Sequence, residues 1–367
     1  MPSHSSPFHR AAADPQADTR KAEVIARLQD IQAPTLPNNL VNLGMVRNLQ
    51  IVDDYVYLRL YVGTHQRHLQ QQVQQTLTAL PWCKKAYAQL CTIPGVRTTL
   101  AVSSGKGGVG KSTTAVNLAA ALTRSGAKVG LLDADIYGPN VPHMLGLGQS
   151  SVQVVETDSG QRFLPLDAHG IKLMSVGLLA EQDHPLAWRG PVMHKILTQF
   201  LQEVEWGDLD YLLIDLPPGT GDAQITIMQE SPICGVIMVT TPQQVAVADV
   251  RRSVAMFRQV GVPVLGLVEN MSYLLCGHCG NPTPIFGSGG GAQIARDLQV
   301  PLWGQVPLDP RICALADAGV PLPLQLPDAS VSQVFAQIAA GLNGTFGQAA
   351  MPEPTLAAPK SAPPGTH

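Results

Sequence analysis

Two groups of residues in this chain are typed and spaced for chemistry: the loop SSGKGGVGKST at residues 103–113 and the cysteine pair Cys276 and Cys279. In the loop, Gly105, Gly110, Lys111 and Ser112 fit G-x-x-x-x-G-K-[ST], the spacing that wraps backbone around phosphate. Glycines let successive N–H groups turn inward, so Gly105, Gly107, Gly108, Val109 and Gly110 would form the cradle. Lys111 would reach the terminal phosphates, Ser112 would offer its hydroxyl to magnesium, and Thr113 would follow in the first turn of a helix whose N-terminus favours anions. The expected ligand is ATP with Mg2+. Such a site also needs carboxylates at neighbouring strand ends. LLDAD supplies Asp133 and Asp135, and YLLIDLPPGTGD supplies Asp215 and Asp222. Asp215 is assigned to magnesium through its water shell and Asp135 to orienting the attacking water. Asp133 and Asp222 can equally be residues that cap the next helix. A second lysine, Lys106, comes too early in the loop to be needed beside Lys111.

Cys276 and Cys279 flank Gly277 and His278 in a turn-rich segment, which can bring two thiolates onto one metal. Tetrahedral zinc and cubane iron-sulfur clusters both want four ligands, and the chain has no second C-x-x-C. An isologous dimer would complete the count by setting the same pair face to face. A cluster, a bridging zinc and a redox disulfide are all open on spacing alone. Cys234 reads as strand filler, and Cys83, Cys91 and Cys313 have no partner at ligand spacing. His65 and His68 are spaced as ligands could be, but read as exposed residues at a helix start.

The elements that must position these groups are legible in outline. Residues 1–20 read as a disordered leader without the apolar core of a secretory signal. Residues 21–93 read as a small α+β unit: a helix in KAEVIARLQDI, two strands around Asp53 and Asp54, and a Gln-rich amphipathic helix. IPGVR marks a linker at 94–99. From 100 to 345 the apolar runs TTLAV, KVGLLDAD, YLLIDLP, GVIMVTTP, VPVLGLVEN and LWGQVPLD alternate with helical patterns. That alternation predicts an α/β fold, a mostly parallel twisted sheet with helices on both faces. Residues 346–367 form a Pro- and Ala-rich tail, also expected to be disordered.

Composition narrows the partners. The 24 basic and 27 acidic residues nearly cancel, which argues against a nucleic-acid footprint and against an acidic tail. No stretch reaches the roughly 18 to 20 apolar residues of a membrane helix. Six cysteines in 367 residues are too sparse for a disulfide scaffold, so a reducing, cytoplasmic setting is expected.

G-K-G-G-V-G-K-S resembles the deviant P-loop of the MinD, ParA and nitrogenase iron-protein class of ATPases. In that class the early lysine crosses a two-fold interface to the partner's nucleotide, which implies this role for Lys106 and a homodimer. The blocks LLDADIYGPNVPHMLG, YLLIDLPPGTGDAQ, VTTPQQVAVADVRRSVAMF, VLGLVENMSYLLCGHCGNPTPIFGSGGG and GQVPLDPRI are similar, in order and spacing, to the Mrp/ApbC family of iron-sulfur cluster carrier ATPases over residues 97–330. The preceding unit resembles the small iron-sulfur assembly domain often fused ahead of it, most clearly at VNLGMVRNLQI. The resemblance implies a 4Fe-4S cluster bridging the dimer through Cys276 and Cys279, cluster donors, and apoprotein acceptors. It also implies purine contact at Asn270, with residues 307–309 across from it. Two rivals accompany this reading: a positioning ATPase with bridging zinc, and an ATPase that transfers electrons through the cluster.

Overall fold

The computed structural model describes residues 15–346 apart from 33–38, 64–65, 136–137, 158–159, 180–189, 220, 222–223, 226, 229–230 and 277. The expected leader, apart from residues 15–20, therefore lies outside the described residues, as do His65, Asp222 and all of the expected tail but Phe346. The first helix, Pro15–Gln29, starts inside the stretch expected to be leader. Arg20 anchors it there, pairing with Asp54 at 2.9 Å while its guanidinium lies over the Trp82 ring.

The N-terminal domain folds around a tight hairpin. Strands β1 (Val46–Val52) and β2 (Tyr55–Tyr61) pair antiparallel, and Asp53 and Asp54 turn between them with φ 50° and 67°. Two positive φ values in a two-residue loop match the right-handed twist of the strands it joins. Helix Leu69–Thr78 then crosses over so that β3 (Lys85–Cys91) lies parallel to β2. The period-two residues Val56, Leu58 and Leu60 meet Val24 and Leu28 of the first helix and Val73 and Leu77 of the second.

The larger domain continues with β4 (Val96–Ser104), β5 (Val129–Asp133), the hairpin β6 (Gln153–Thr157) and β7 (Gly160–Leu164), β8 (Leu166–Ala168) and β9 (Ile171–Ser175). It ends with β10 (Leu209–Asp215), β11 (Gly235–Thr240), β12 (Val264–Glu269), the short pair β13 (Leu274–Leu275) and β14 (Pro282–Thr283), and β15 (Leu302–Gln305). Eight strands form one sheet in the order β15-β12-β11-β4-β10-β5-β9-β8, parallel except for β8. Both faces are covered. Leu100, Leu213 and Val239 point to helices Lys111–Arg124 and Ser330–Phe346, while Ala101, Leu212 and Met238 point to helices Gly190–Gln202, Gln244–Gln259 and Gly290–Leu298. Burial on both faces is why β10 and β11 read as unbroken apolar runs rather than alternating ones.

Further sequence expectations need correction: the small unit, expected to hold two strands, has a third in β3, which completes its sheet by pairing with β2. Strand β4 begins at Val96, inside the expected linker, because Val96 already pairs with Leu209. Strands β8 and β9 and the β6–β7 hairpin add to the strands the apolar runs predict; each has five residues or fewer. Among the described residues, no helix is long and apolar enough to cross a membrane.

The two domains meet at Arg47, which is 6% exposed. Its Nη1 donates to Met228 O at 3.0 Å, its Nη2 to Ile233 O, and its Nε to Gly44 O at 3.2 Å. Gly44 lies so close to the larger domain that a β-carbon there would stand 2.3 Å from Pro263 Cδ. Hydrogen bonds to a charged donor contribute about 1.5–3 kcal/mol when buried. Arg47→Ala should therefore make the N-terminal domain melt as a separate, earlier transition in calorimetry, with a loss of about 2 kcal/mol. An unchanged thermogram would mean the contact adds nothing to stability.

Candidate functional site

The shape of the P-loop follows from what its glycines touch. Gly110 holds φ +81° ahead of helix Lys111–Arg124, and a β-carbon there would stand 2.2 Å from Asn270 Nδ2. A β-carbon on Gly105 would stand 2.4 Å from the carbonyl carbon of Asp249, because the loop lies directly on helix Gln244–Gln259. Only glycine fits at either place. Gly107 and Gly108 are exposed and have open space where a β-carbon would be. Val109 is buried beneath them, and its carbonyl accepts from Asn270 Nδ2 at 2.9 Å.

Lys111 is 6% exposed, and carboxylates surround its ammonium. Nζ lies 2.6 Å from Asp215 Oδ1, 3.2 Å from Ser112 Oγ and 3.7 Å from Asp135 Oδ2. The sheet order creates this cluster, since β10 sits between β4 and β5 with Asp215 beside Val102 on one side and Asp133 on the other. Burial pushes the Asp215 carboxyl up, and the Lys111 charge opposes it. Asp215 Oδ2 is buried without a hydrogen-bond partner. An orphaned carboxylate oxygen beside Ser112 at a phosphate loop fits a hydrated magnesium ion, which would offer it a water proton.

Asp133 has a different place. Its Oδ1 accepts from the Asp135 N–H at 3.1 Å and its Oδ2 from Ser175 Oγ at 3.0 Å, so it fixes the turn that aims Asp135. Burial, then the neighbouring Asp215 charge, pushes its pKa up to about 8.

Lys106 is half-buried and reaches away from this cluster, with Nζ 3.5 Å from Gln243 Oε1 just after β11. Asn270 follows β12 and lines a cavity of about 300 Å³ whose far wall is Pro307, Leu308 and Asp309. Met144, Met271 and Ile312 give the cavity apolar sides, and Thr113 stands at its P-loop end. Sequence reasoning missed Met144 and Ile312, as well as Gln243; the first two sit in amphipathic helical stretches with no signal separating them from core residues.

The cysteines occupy their own hairpin. Strands β13 and β14 pair at Leu274 with Thr283, and beyond them Cys276 N donates to Asn281 O at 3.0 Å. Gly280, at φ +71°, closes the turn by donating to Cys276 O at 2.8 Å. The neighbouring backbone of Cys279, then that of His278, and the Cys279 thiol lower the Cys276 pKa. Cys276 is half-buried, Cys279 exposed, and neither is in a disulfide. Gly277 lies outside the described residues. Among those described, no three His, Cys, Asp or Glu side chains converge as a metal site. His68 is exposed at the start of its helix.

The raised Asp133 pKa has a testable consequence. The folded protein keeps this proton between pH 3.8 and about 8, where an unfolded chain has released it. Stability from this group is therefore lost as pH rises through that window. Melting temperature of the metal-free wild type should fall from pH 5 to pH 8 more steeply than that of Asp133→Asn, which carries no titrating proton. Parallel profiles would show that Asp133 titrates normally.

Comparison with known proteins agrees with this geometry. A family profile described as NUBPL iron-transfer P-loop NTPase matches residues 95–343, and one described as iron-sulfur cluster assembly protein matches residues 21–90. The chain is 42% identical over 346 residues to the iron-sulfur cluster carrier protein of Synechocystis sp., covering 89% of this chain and 98% of that one. It is 41% identical over 336 residues to the protein of the same name from Escherichia coli (strain K12), covering 87% and 90%. Among solved structures, a nucleotide-binding protein from Archaeoglobus fulgidus in complex with ADP is 40% identical, with TM-score 0.54, covering 62% of this chain and 88% of that one. The cell division ATPase MinD of Pyrococcus furiosus, 21% identical with TM-score 0.50 and covering 67% and 98%, shares the fold. With its phosphate loop, its strand-end carboxylates and its fused assembly domain, the chain is an ATPase and belongs to the Mrp/ApbC family of iron-transfer P-loop NTPases.

Proposed function

We propose that the protein is a cytoplasmic, homodimeric carrier that takes a labile 4Fe-4S cluster from donor proteins and passes it to apoproteins. Cys276 and Cys279 of each subunit hold the cargo. The observation that carries this reading is the hairpin that sets Cys276 and Cys279 on one turn, closed by Gly280 N donating to Cys276 O at 2.8 Å, with Cys279 exposed and neither sulfur in a disulfide. A lowered thiol pKa is what a metal ligand needs, since the thiolate is the binding form. One chain offers two such ligands, so a four-ligand cargo calls for two chains. The names of the curated relatives point the same way. Transfer is ligand exchange without a redox step: each iron–cysteine bond broken here is replaced by one to an acceptor thiolate.

The P-loop supplies the switch. A bound ATP would draw Lys111 from Asp215 onto its terminal phosphates, which frees both Asp215 oxygens for the water shell of magnesium. Asp135 would hold the attacking water. Asn270 would meet the adenine, opposite residues 307–309. Lys106 would leave Gln243 and complete the partner subunit's site. Two lysines in one loop then serve two nucleotides.

Mutation should separate these roles. Lys111→Ala should cut ATP hydrolysis by about 100-fold or more, because the developing phosphate charge loses a direct cation. Asp135→Asn should keep nucleotide binding and slow turnover. Cys276→Ala should abolish iron and sulfide in protein purified without oxygen, with ATP binding unchanged; zinc in their place in the wild type would establish the bridging-zinc alternative. In mixed dimers, Lys106→Ala with Lys111→Ala should recover one working site and exceed the rate of either homodimer. Full activity in a monomeric Lys106→Ala protein, or stoichiometric iron on a monomer, would overturn the shared interface.

A further inference from the structure

We propose that Glu269 is a positioning residue that couples the nucleotide site to the cysteine hairpin. The inference rests on the reading that Cys276 and Cys279 hold the cargo.

Glu269 is the last residue of β12 and is 1% exposed. Its carboxylate is fully used. Oε1 accepts from Ser272 Oγ at 2.8 Å and from Gln305 Nε2 at 2.7 Å, and Oε2 accepts from Gly291 N at 2.5 Å. Ser272 and Gly291 are the two roots of the segment that carries the cysteines, one leading into β13 and the other receiving the chain after β14. One buried carboxylate thus ties both ends of the hairpin. Removing the acceptor would strand the buried Gly291 N–H on one root and leave Ser272 Oγ, on the other, only the Glu269 backbone carbonyl at 2.9 Å.

The same residue is bound covalently to the nucleotide side. Asn270, its neighbour, donates to Val109 O in the P-loop and, through its own N–H, to Thr240 O at 2.7 Å. The backbone extends the link, with Val306 N donating to Glu269 O at 2.8 Å, Ser272 N to Val306 O at 3.0 Å and Leu308 N to Tyr273 O at 2.7 Å. Leu308 is part of the cavity wall opposite Asn270. A shift of the P-loop that moves Asn270 therefore moves the carboxylate, and the carboxylate moves both roots together. A packing role alone would not require an acid: three converging N–H and O–H donors demand an acceptor with two oxygens, and an apolar side chain of equal size supplies none.

The test uses the full chain stripped of iron and read without oxygen, so it does not depend on cluster loading. Alkylation of Cys276 and Cys279 by iodoacetamide is followed by peptide mass spectrometry, with and without a magnesium-bound, non-hydrolysable ATP analogue. Wild type should show a rate ratio of about fivefold or more between the two states, the usual scale of coupling between sites. Two variants probe the link from opposite ends. Glu269→Gln keeps the shape but presents a donor to donors. Gly291→Ala leaves the acid intact and pushes on it, since a β-carbon there would stand 2.6 Å from Oε2 and 2.9 Å from the Glu269 β-carbon. In both, the ratio should collapse toward one while the analogue still binds. If Glu269→Gln does not fold, Gly291→Ala decides. A wild-type ratio of one, or variants that keep the wild-type ratio, would overturn the proposal. Failure of wild type to take up iron and sulfide would instead overturn the cargo reading, and the thiol ratios would still decide the coupling.

Discussion

The larger domain is organised around one buried ammonium. Lys111 is withdrawn from water at the start of a helix, and a charge so placed is tolerated only when counter-charges and hydrogen bonds replace its hydration. Those counter-charges can come only from residues at the carboxyl ends of adjacent strands, because that is where a parallel sheet opens. Strand β10 therefore has to enter between β4 and β5, although it comes after both in the chain. The insertion brings Asp215 to 2.6 Å and Asp135 to 3.7 Å of the ammonium. It also crowds a third carboxyl group, Asp133, into the same neighbourhood, where burial and the Asp215 charge push its pKa up to about 8.

What could be read from the sequence was what is locally encoded. The glycines, lysines and hydroxyls of the P-loop lie within eleven positions, and β10 and β11 announce themselves as apolar runs because both their faces are buried. The paired cysteines are likewise three apart. What could not be read depends on partners far along the chain. Arg47 sits in a strand among polar residues and looks solvent-facing, yet its guanidinium ends on carbonyls 181 and 186 positions later. Glu269 looks like a polar residue closing a strand, and its burial becomes apparent only once Gly291 and Gln305 fold over it. Strands β8 and β9 escaped notice for a related reason: their pairing with each other and with β5 supplies what their short sequences lack.

The P-loop is gripped from both sides by consecutive strand ends. After β11, Gln243 accepts from Lys106; after β12, Asn270 donates to the Val109 carbonyl. The helix after β11 carries the floor on which Gly105 rests, and the segment after β12 carries the cysteines. The residues that hold the P-loop, Gln243 and Asn270, and the cysteines thus belong to one continuous stretch of chain. Events at the phosphates have a short covalent route to the hairpin and need not cross the sheet.

This arrangement bears on why the thiolates stand so open. A cluster kept for catalysis or electron transfer gains from enclosure, which shields it from solvent and fixes its potential. A cluster meant to leave must remain reachable by an acceptor's thiolates, which rules out a buried cage. Under the carrier reading the hairpin reconciles the two demands, since its own backbone lowers the Cys276 pKa while Cys279 is left exposed. Affinity then comes from charge and hydrogen bonding, and access is kept. If each chain contributes half the ligands, as proposed, holding the cargo depends on how two hairpins face each other. Under the carrier reading, the roots are therefore the place where control is most effective.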